Sequence, residues 1–286
     1  MPDFPIIDSH LHIYDPGRLN FHWMKSVTKL QRPYLLSDFL QLSSPIEIEK
    51  AVFVEVDVAD GSQFAEAQFV SDVARNDALI GGMVVAVPLD RGGQSVAALD
   101  AMQSLPLTRG VRHLIERHTQ EPGWALRESF VEGVQLLAKR DLSFDLCLFH
   151  PQLKEAVELV RRCPDVRFVL DHIGKPGIRS MLEYPWRDDI SALAGLPNVW
   201  CKISGVVTEA DHETWTEAIV APYVAHAINV FGFDRVMFGG DWPVSELATT
   251  YSRWVDLVDN AISAARSSEK MKLYRDNAIK FYRLGL

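Results

Sequence analysis

The chain is poor in the features that would take it out of the ordinary globular class. Only three of its 286 residues are cysteine, Cys147, Cys163 and Cys201, and their spacing matches no metal knuckle. A sparse, odd count excludes a disulfide-built scaffold and points to reduced thiols. No apolar run approaches membrane-spanning length, so no membrane association is expected. No run of Lys and Arg stands out and the net charge is −9, which argues against nucleic acid as a partner. Met1-Pro2-Asp3 leads straight into an apolar stretch without a basic and then apolar leader, so a soluble, cytoplasmic protein is expected. There is no linker, low-complexity tract or short repeat, and residues 1–286 are expected to form one domain. Anionic substrates stay open, because a local pocket can oppose the global charge. Self-association into a homo-oligomer also stays open.

The composition that remains, 48% hydrophobic and 23% charged, suits a large packed core that needs no staples. Apolar, β-branched runs over 6–12, 51–57, 79–88, 109–114, 143–151, 166–172, 198–204 and 235–243 are read as strands. Between and after them, helical periodicity covers 62–76, 93–103, 129–140, 152–163, 185–196, 215–231, 251–265 and 269–282, with a break expected near Pro222. Residues 21–42 are irregular and rich in aromatic and basic side chains, with a short helix starting near Ser37. Eight strands alternating with helices predict an α/β fold, the (β/α)8 or TIM barrel.

Active sites of such barrels lie at the C-terminal ends of the strands. Strand one ends in Asp8-Ser9-His10-Leu11-His12. Period-two alternation sends His10 and His12 to one face, with Asp8 expected beside them. Strand four offers Arg112 and His113, strand five His150, strand six Asp171 and His172 with Lys175 just beyond, strand seven Lys202, and strand eight Asp241. Gly239 and Gly240 precede Asp241 and permit close backbone approach. A carboxylate facing several imidazoles can act as a general base on water or as a metal ligand. The bland reading of Asp241 is a helix cap. That of His10 and His12 is a half-buried strand whose imidazoles satisfy backbone groups.

The segments His10-Leu11-His12, Leu170-Asp171-His172-Ile173-Gly174-Lys175-Pro176, Lys202-Ile203-Ser204-Gly205 with Thr208-Glu209, and Phe238-Gly239-Gly240-Asp241-Trp242-Pro243 resemble the amidohydrolase superfamily. More narrowly they resemble its amidohydrolase-related branch, which includes fuconolactonase-like and rhamnonolactonase-like enzymes and the pyrone-dicarboxylate and sulfomuconolactone hydrolases. The resemblance implies a hydrolase in which Asp241 takes a proton from water and returns it to the leaving group, with His10, His12 and His172 around it. Strand four lacks the lysine or glutamate that bridges two metals in binuclear members, so at most one ion is expected. His10, His12 and Asp241 are its expected ligands, zinc suits their N and O atoms, and a metal-independent enzyme is equally compatible.

The expected substrate is the lactone of a sugar acid or a related carboxylated lactone, a small molecule. Arg112, His150, Lys175, Lys202, Trp23 and Trp242 are the residues expected to bind it. The three cations have an alternative role, in salt bridges to Asp171, Glu55 or Glu209. Two rival functions remain: a mononuclear zinc-dependent decarboxylase of the same superfamily, and a non-catalytic barrel that binds a sugar acid or a protein partner.

Overall fold

The computed structural model of the protein describes residues 1–285. Among them, eight parallel strands run in sequence order around one sheet: β1 (Ile6–Leu11), β2 (Ile48–Val54), β3 (Ile80–Ala86), β4 (Thr108–Arg112), β5 (Ser143–Leu146), β6 (Arg167–Leu170), β7 (Val199–Ile203) and β8 (Val236–Phe238). The barrel is closed less regularly between β8 and β1. Asp241 N donates to His10 O and His12 N to Trp242 O, both at 2.8 Å. The seam is tight: a Cβ on Gly239 would lie 2.8 Å from His10 Cβ.

Helices cover the outside: α1 (Leu36–Ser43), α2 (Gln63–Asn76), α3 (Val96–Gln103), α4 (Glu128–Gln135), α5 (Leu153–Arg162), α6 (Trp186–Ala194), α7 (Glu217–Phe231) and α8 (Tyr251–Ala261). The last expected helix is α9 (Ser267–Met271), a π turn over Lys272–Asp276, and α10 (Asn277–Tyr282). The strands are buried on both faces, as a parallel sheet under helices requires. Inside the barrel, Ile7, Val52, Val54, Val84, Val169 and Met237 pack against Ala278, Phe281 and Tyr282 of α10. Arg283 donates to the carbonyls of Arg109 and Asp141, beside the starts of β4 and β5. α10 and Arg283 therefore close the N-terminal mouth of the barrel and leave the other mouth for a site. No helix among the described residues is long and apolar enough to cross a membrane.

The expected break at Pro222 is absent, since α7 passes through it. Proline removes one backbone donor, and the buried stripe of Val220, Tyr223, Val224, Ala227, Ile228 and Phe231 holds the helix across the gap. Several strands stop short of their expected ends, most clearly β5 and β8. The apolar sequence continues there, but the backbone leaves the ladder to build the mouth.

Candidate active site

At the C-terminal ends of the strands lies a cavity of about 270 Å³. Of the eight non-glycine residues with positive φ among the described residues, four line it: Asp57, His172, Lys175 and Asp241. That backbone conformation is strained for such residues, so the strain is concentrated where the strands turn into the site. Asp241 has φ 55° and lies on the floor. Gly205, with φ 53°, makes room for it: a Cβ there would stand 2.0 Å from Asp241 Oδ2.

Three imidazoles surround that carboxylate. His12 Nε2 is 3.3 Å and His10 Nε2 3.6 Å from Asp241 Oδ1, and His172 Nδ1 is 3.9 Å from Oδ2. The His10 ring centre lies 4.5 Å from that of His172 and 4.9 Å from that of His12. His12 Nδ1 donates to Val54 O at 2.8 Å, which leaves its Nε2 lone pair facing Asp241. His172 Nδ1 lies 2.9 Å from Ser204 Oγ. Burial pulls the Asp241 carboxyl upward, but His172, His12 and His10 outweigh it and hold it below the usual range. Burial pushes His10 well down, aided by Lys202 and opposed by Asp171. Burial likewise lowers His172, against the pull of Asp241. At neutral pH the floor is thus an ionised carboxylate beside two neutral imidazoles, a set suited to receiving a proton.

The cations are already partnered. Arg112 donates from Nε to Glu55 Oε1 and from Nη2 to Glu55 O, both at 2.6 Å, and its Nη1 lies 3.3 Å from Asp171 Oδ2. Lys175 is paired with Glu116, which also accepts from Cys147 Sγ at 3.4 Å. One wall is apolar, built from Trp23, Val27, Leu30, Val244 and Leu247. Trp23 is fixed there by its Nε1 donating to Val56 O at 2.8 Å.

The structure brings His12, His172, Asp241, Arg112, Lys175 and Trp23 to the cavity surface, with His10 fully buried just beneath. Three residues expected to bind substrate are placed elsewhere. Trp242 is fully buried, with its ring 5.3 Å from Tyr34 and 5.5 Å from Phe39 and its Nε1 bonded to Glu246, so it is core. Lys202 is fully buried behind His10, on Asp145 and Asp171. His150 turns into a neighbouring groove with Phe149, Gly177, Glu209 and His212. Asp8 does not join His10 and His12: it accepts from His10 N, Gly240 N and the Tyr251 hydroxyl, each at 2.9 Å, and stitches β1 to β8. The β1 ladder is irregular between Asp8 and Leu11, which undoes simple alternation. Glu55 pairs with Arg112, the alternative role expected for that cation, whereas Asp57 and Glu116 on the cavity lining are not expected from the sequence; acids at the end of β2 and just after β4 are the available signal.

The donor set bears on a metal. His10, His12 and Asp241 place one ligand atom each within 4.8 Å of one another. Two imidazoles and a carboxylate with an open side fit one divalent ion. His12 is prepared by its bond to Val54; His10 can take part only with its own proton on Nδ1, facing Asp171 Oδ1 at 3.4 Å.

Comparison with known proteins agrees with this arrangement. A family profile described as Amidohydrolase matches residues 7–284. The chain is 31% identical to protein y4mH of Sinorhizobium fredii, over 99% of this chain and all of the other. It is 30% identical to an L-fucono-1,5-lactonase of Burkholderia multivorans, over 97% of this chain and 96% of that protein. A crystal structure of a Burkholderia multivorans amidohydrolase with bound zinc superposes with a TM-score of 0.86 at 28% identity, covering 98% of this chain and 99% of the other. With eight parallel strands, a His-Asp floor at their C-terminal ends and a match over nearly its whole length, the chain belongs to the amidohydrolase family.

Proposed function

We propose that the protein is a lactone hydrolase acting on an uncharged, hydroxylated lactone of the sugar-acid type. The observation that carries this is Asp241, an ionised carboxylate held on the cavity floor by His12, His10 and His172. Asp241 accepts a proton from water as the water oxygen attacks the lactone carbonyl. The oxyanion that develops meets the Arg112 guanidinium, which Glu55 and Asp171 hold in a fixed orientation. When the tetrahedral intermediate collapses, the ring C–O bond breaks and Asp241 returns its proton to the alkoxide. The products are one hydroxyl and one carboxylic acid on the same molecule, and the acid releases a proton to solvent as it ionises to the carboxylate. A divalent ion on His12, Asp241 and His10, zinc by ligand preference, would polarise the carbonyl when bound.

The charge pattern favours a neutral substrate. Arg112 and Lys175 each already have a carboxylate partner, and Asp57, Glu116 and Asp241 make the lining acidic on balance. A substrate carboxylate would have to displace one of those partners. Hydroxyls can share them, and the Trp23–Leu247 wall suits an apolar sugar face or methyl group. The lactonase name of the Burkholderia multivorans relative supports the same class.

A pH-indicator assay across neutral aldonolactones and carboxylated lactones, with and without chelator, tests the proposal. Turnover of neutral lactones that falls at least about 10²-fold in Asp241→Asn is expected. Full turnover by Asp241→Asn would sink the mechanism. Silence across the lactones beside carbon dioxide release from an aromatic acid would make the protein a decarboxylase.

A further inference from the structure

Behind the cavity floor a polar chain reaches the closed end of the barrel. Tyr282, on α10, donates from its hydroxyl to Asp145 Oδ2 at 2.8 Å. Lys202 Nζ donates to the same oxygen at 2.6 Å and lies 3.0 Å from Asp171 Oδ1 and 3.2 Å from His10 Nδ1. Asp145, Asp171, Lys202 and His10 are all fully buried, so water does not compete for these hydrogens.

An ammonium has three N–H donors and no lone pair. Lys202 has three neighbours able to accept: Asp145, Asp171 and His10. A buried donor left unfilled is costly. Facing that ammonium, His10 Nδ1 must accept, and the neutral ring then carries its proton on Nε2. Nε2 is the nitrogen turned toward Asp241 Oδ1. The other tautomer would turn Nδ1–H toward Asp171 Oδ1 at 3.4 Å, an oxygen that Lys202 Nζ already faces at 3.0 Å, and would leave Lys202 one acceptor short. Arg112 Nη1, 3.4 Å from Nε2, has Asp171 Oδ2 as an acceptor and does not need that lone pair.

We infer that Lys202, anchored by Asp145 and Tyr282, is a positioning residue that fixes His10 as its Nε2–H tautomer and so aims a hydrogen-bond donor at Asp241. The carboxylate that meets water is thereby oriented from the opposite end of the barrel. The kinetic part of this inference rests on Asp241 acting as the base; the tautomer does not.

Nitrogen NMR of histidine-labelled, chelator-treated protein tests it. In the wild type the His10 proton is expected on Nε2; a proton on Nδ1 overturns the inference. In Lys202→Met the proton is expected to move to Nδ1, toward Asp171, with kcat down about tenfold and KM nearly unchanged. An unchanged tautomer in a folded Lys202→Met overturns the role of the lysine. Tyr282→Phe keeps the ring and removes one donor, so it serves if Lys202→Met fails to fold; a partial move of the same signal is expected, and none would remove Tyr282 from the network. Because the spectrum is read without substrate, failure to hydrolyse any lactone would count against the function of Asp241 alone.

Discussion

Arg112 grips Glu55 twice, through the side-chain carboxylate and through the backbone carbonyl, both at 2.6 Å. The two contacts lock the last residue of β4 to the residue that follows β2, across the intervening strand. Both side chains are buried, so removing the guanidinium leaves Glu55 without its cation and Asp171 with Lys202 alone. Arg112→Met is expected to lower stability by about 3–5 kcal/mol in urea unfolding. Arg112→Lys keeps the charge and loses the planar fork. It is expected to cost less stability but at least about tenfold in kcat/KM, because the hydrogens that meet the oxyanion are no longer held in place.

Glu209 provides a pH-dependent signature. Burial pushes its carboxyl from 4.5 up to about 7, against Lys175 and with help from Glu116 and Asp241. A raised acid is favoured by the fold in its protonated form. Its contribution is fully present below pH 4.5 and is lost as pH rises through about 7. Glu209→Gln should therefore match the wild type in acid and exceed it above neutrality, with a ceiling of about 3 kcal/mol set by the size of the shift. Paired urea titrations at pH 4 and pH 8, taken as ends of that window, check the sign. A variant less stable than wild type at the higher value would refute it.

The barrel was legible because its signal is cumulative: strand after strand is apolar on both faces and helical periods intervene. The grouping of Asp241, His12 and His172 was legible because polar residues at the C-terminal ends of otherwise apolar strands converge on one mouth of the barrel. The depth of each side chain was not legible. Trp242 follows Asp241 directly, yet the backbone turn at Asp241 sends one into the mouth and the other onto Tyr34 and Phe39. Lys202 reads in sequence as a cation at the barrel mouth; only the folded interior shows it buried, with Asp145 as well as Asp171 against it. Tyr282, eighty residues further on, carries no local sign that it reaches Asp145.

Those placements separate two residues that sequence put together. Trp242→Ala empties a fully buried site among Tyr34, Phe39 and Glu246, and is expected to cost about 3–5 kcal/mol. His150→Ala alters a groove beside the cavity and is expected to leave kcat/KM within about threefold. Thermal unfolding and steady-state kinetics on the two variants distinguish core from site. A tenfold loss of kcat/KM in His150→Ala would extend the binding region into that groove.

Metal uptake follows from how unequal the three candidate ligands are. His12 presents a free Nε2 lone pair because Val54 O holds its Nδ1–H, and Asp241 is ionised. His10 must give up its contact with Lys202 before its Nε2 can bind an ion. Chelator-stripped protein titrated with zinc is therefore expected to take up one equivalent at most. His12→Ala is expected to weaken that uptake at least about 10²-fold, since a three-ligand site becomes two. His10→Ala should weaken it less, because its loss also releases the Lys202 contact that binding would break. Calorimetry with elemental analysis reads both effects, and a second equivalent, or equal losses in the two variants, would contradict the ranking of the ligands.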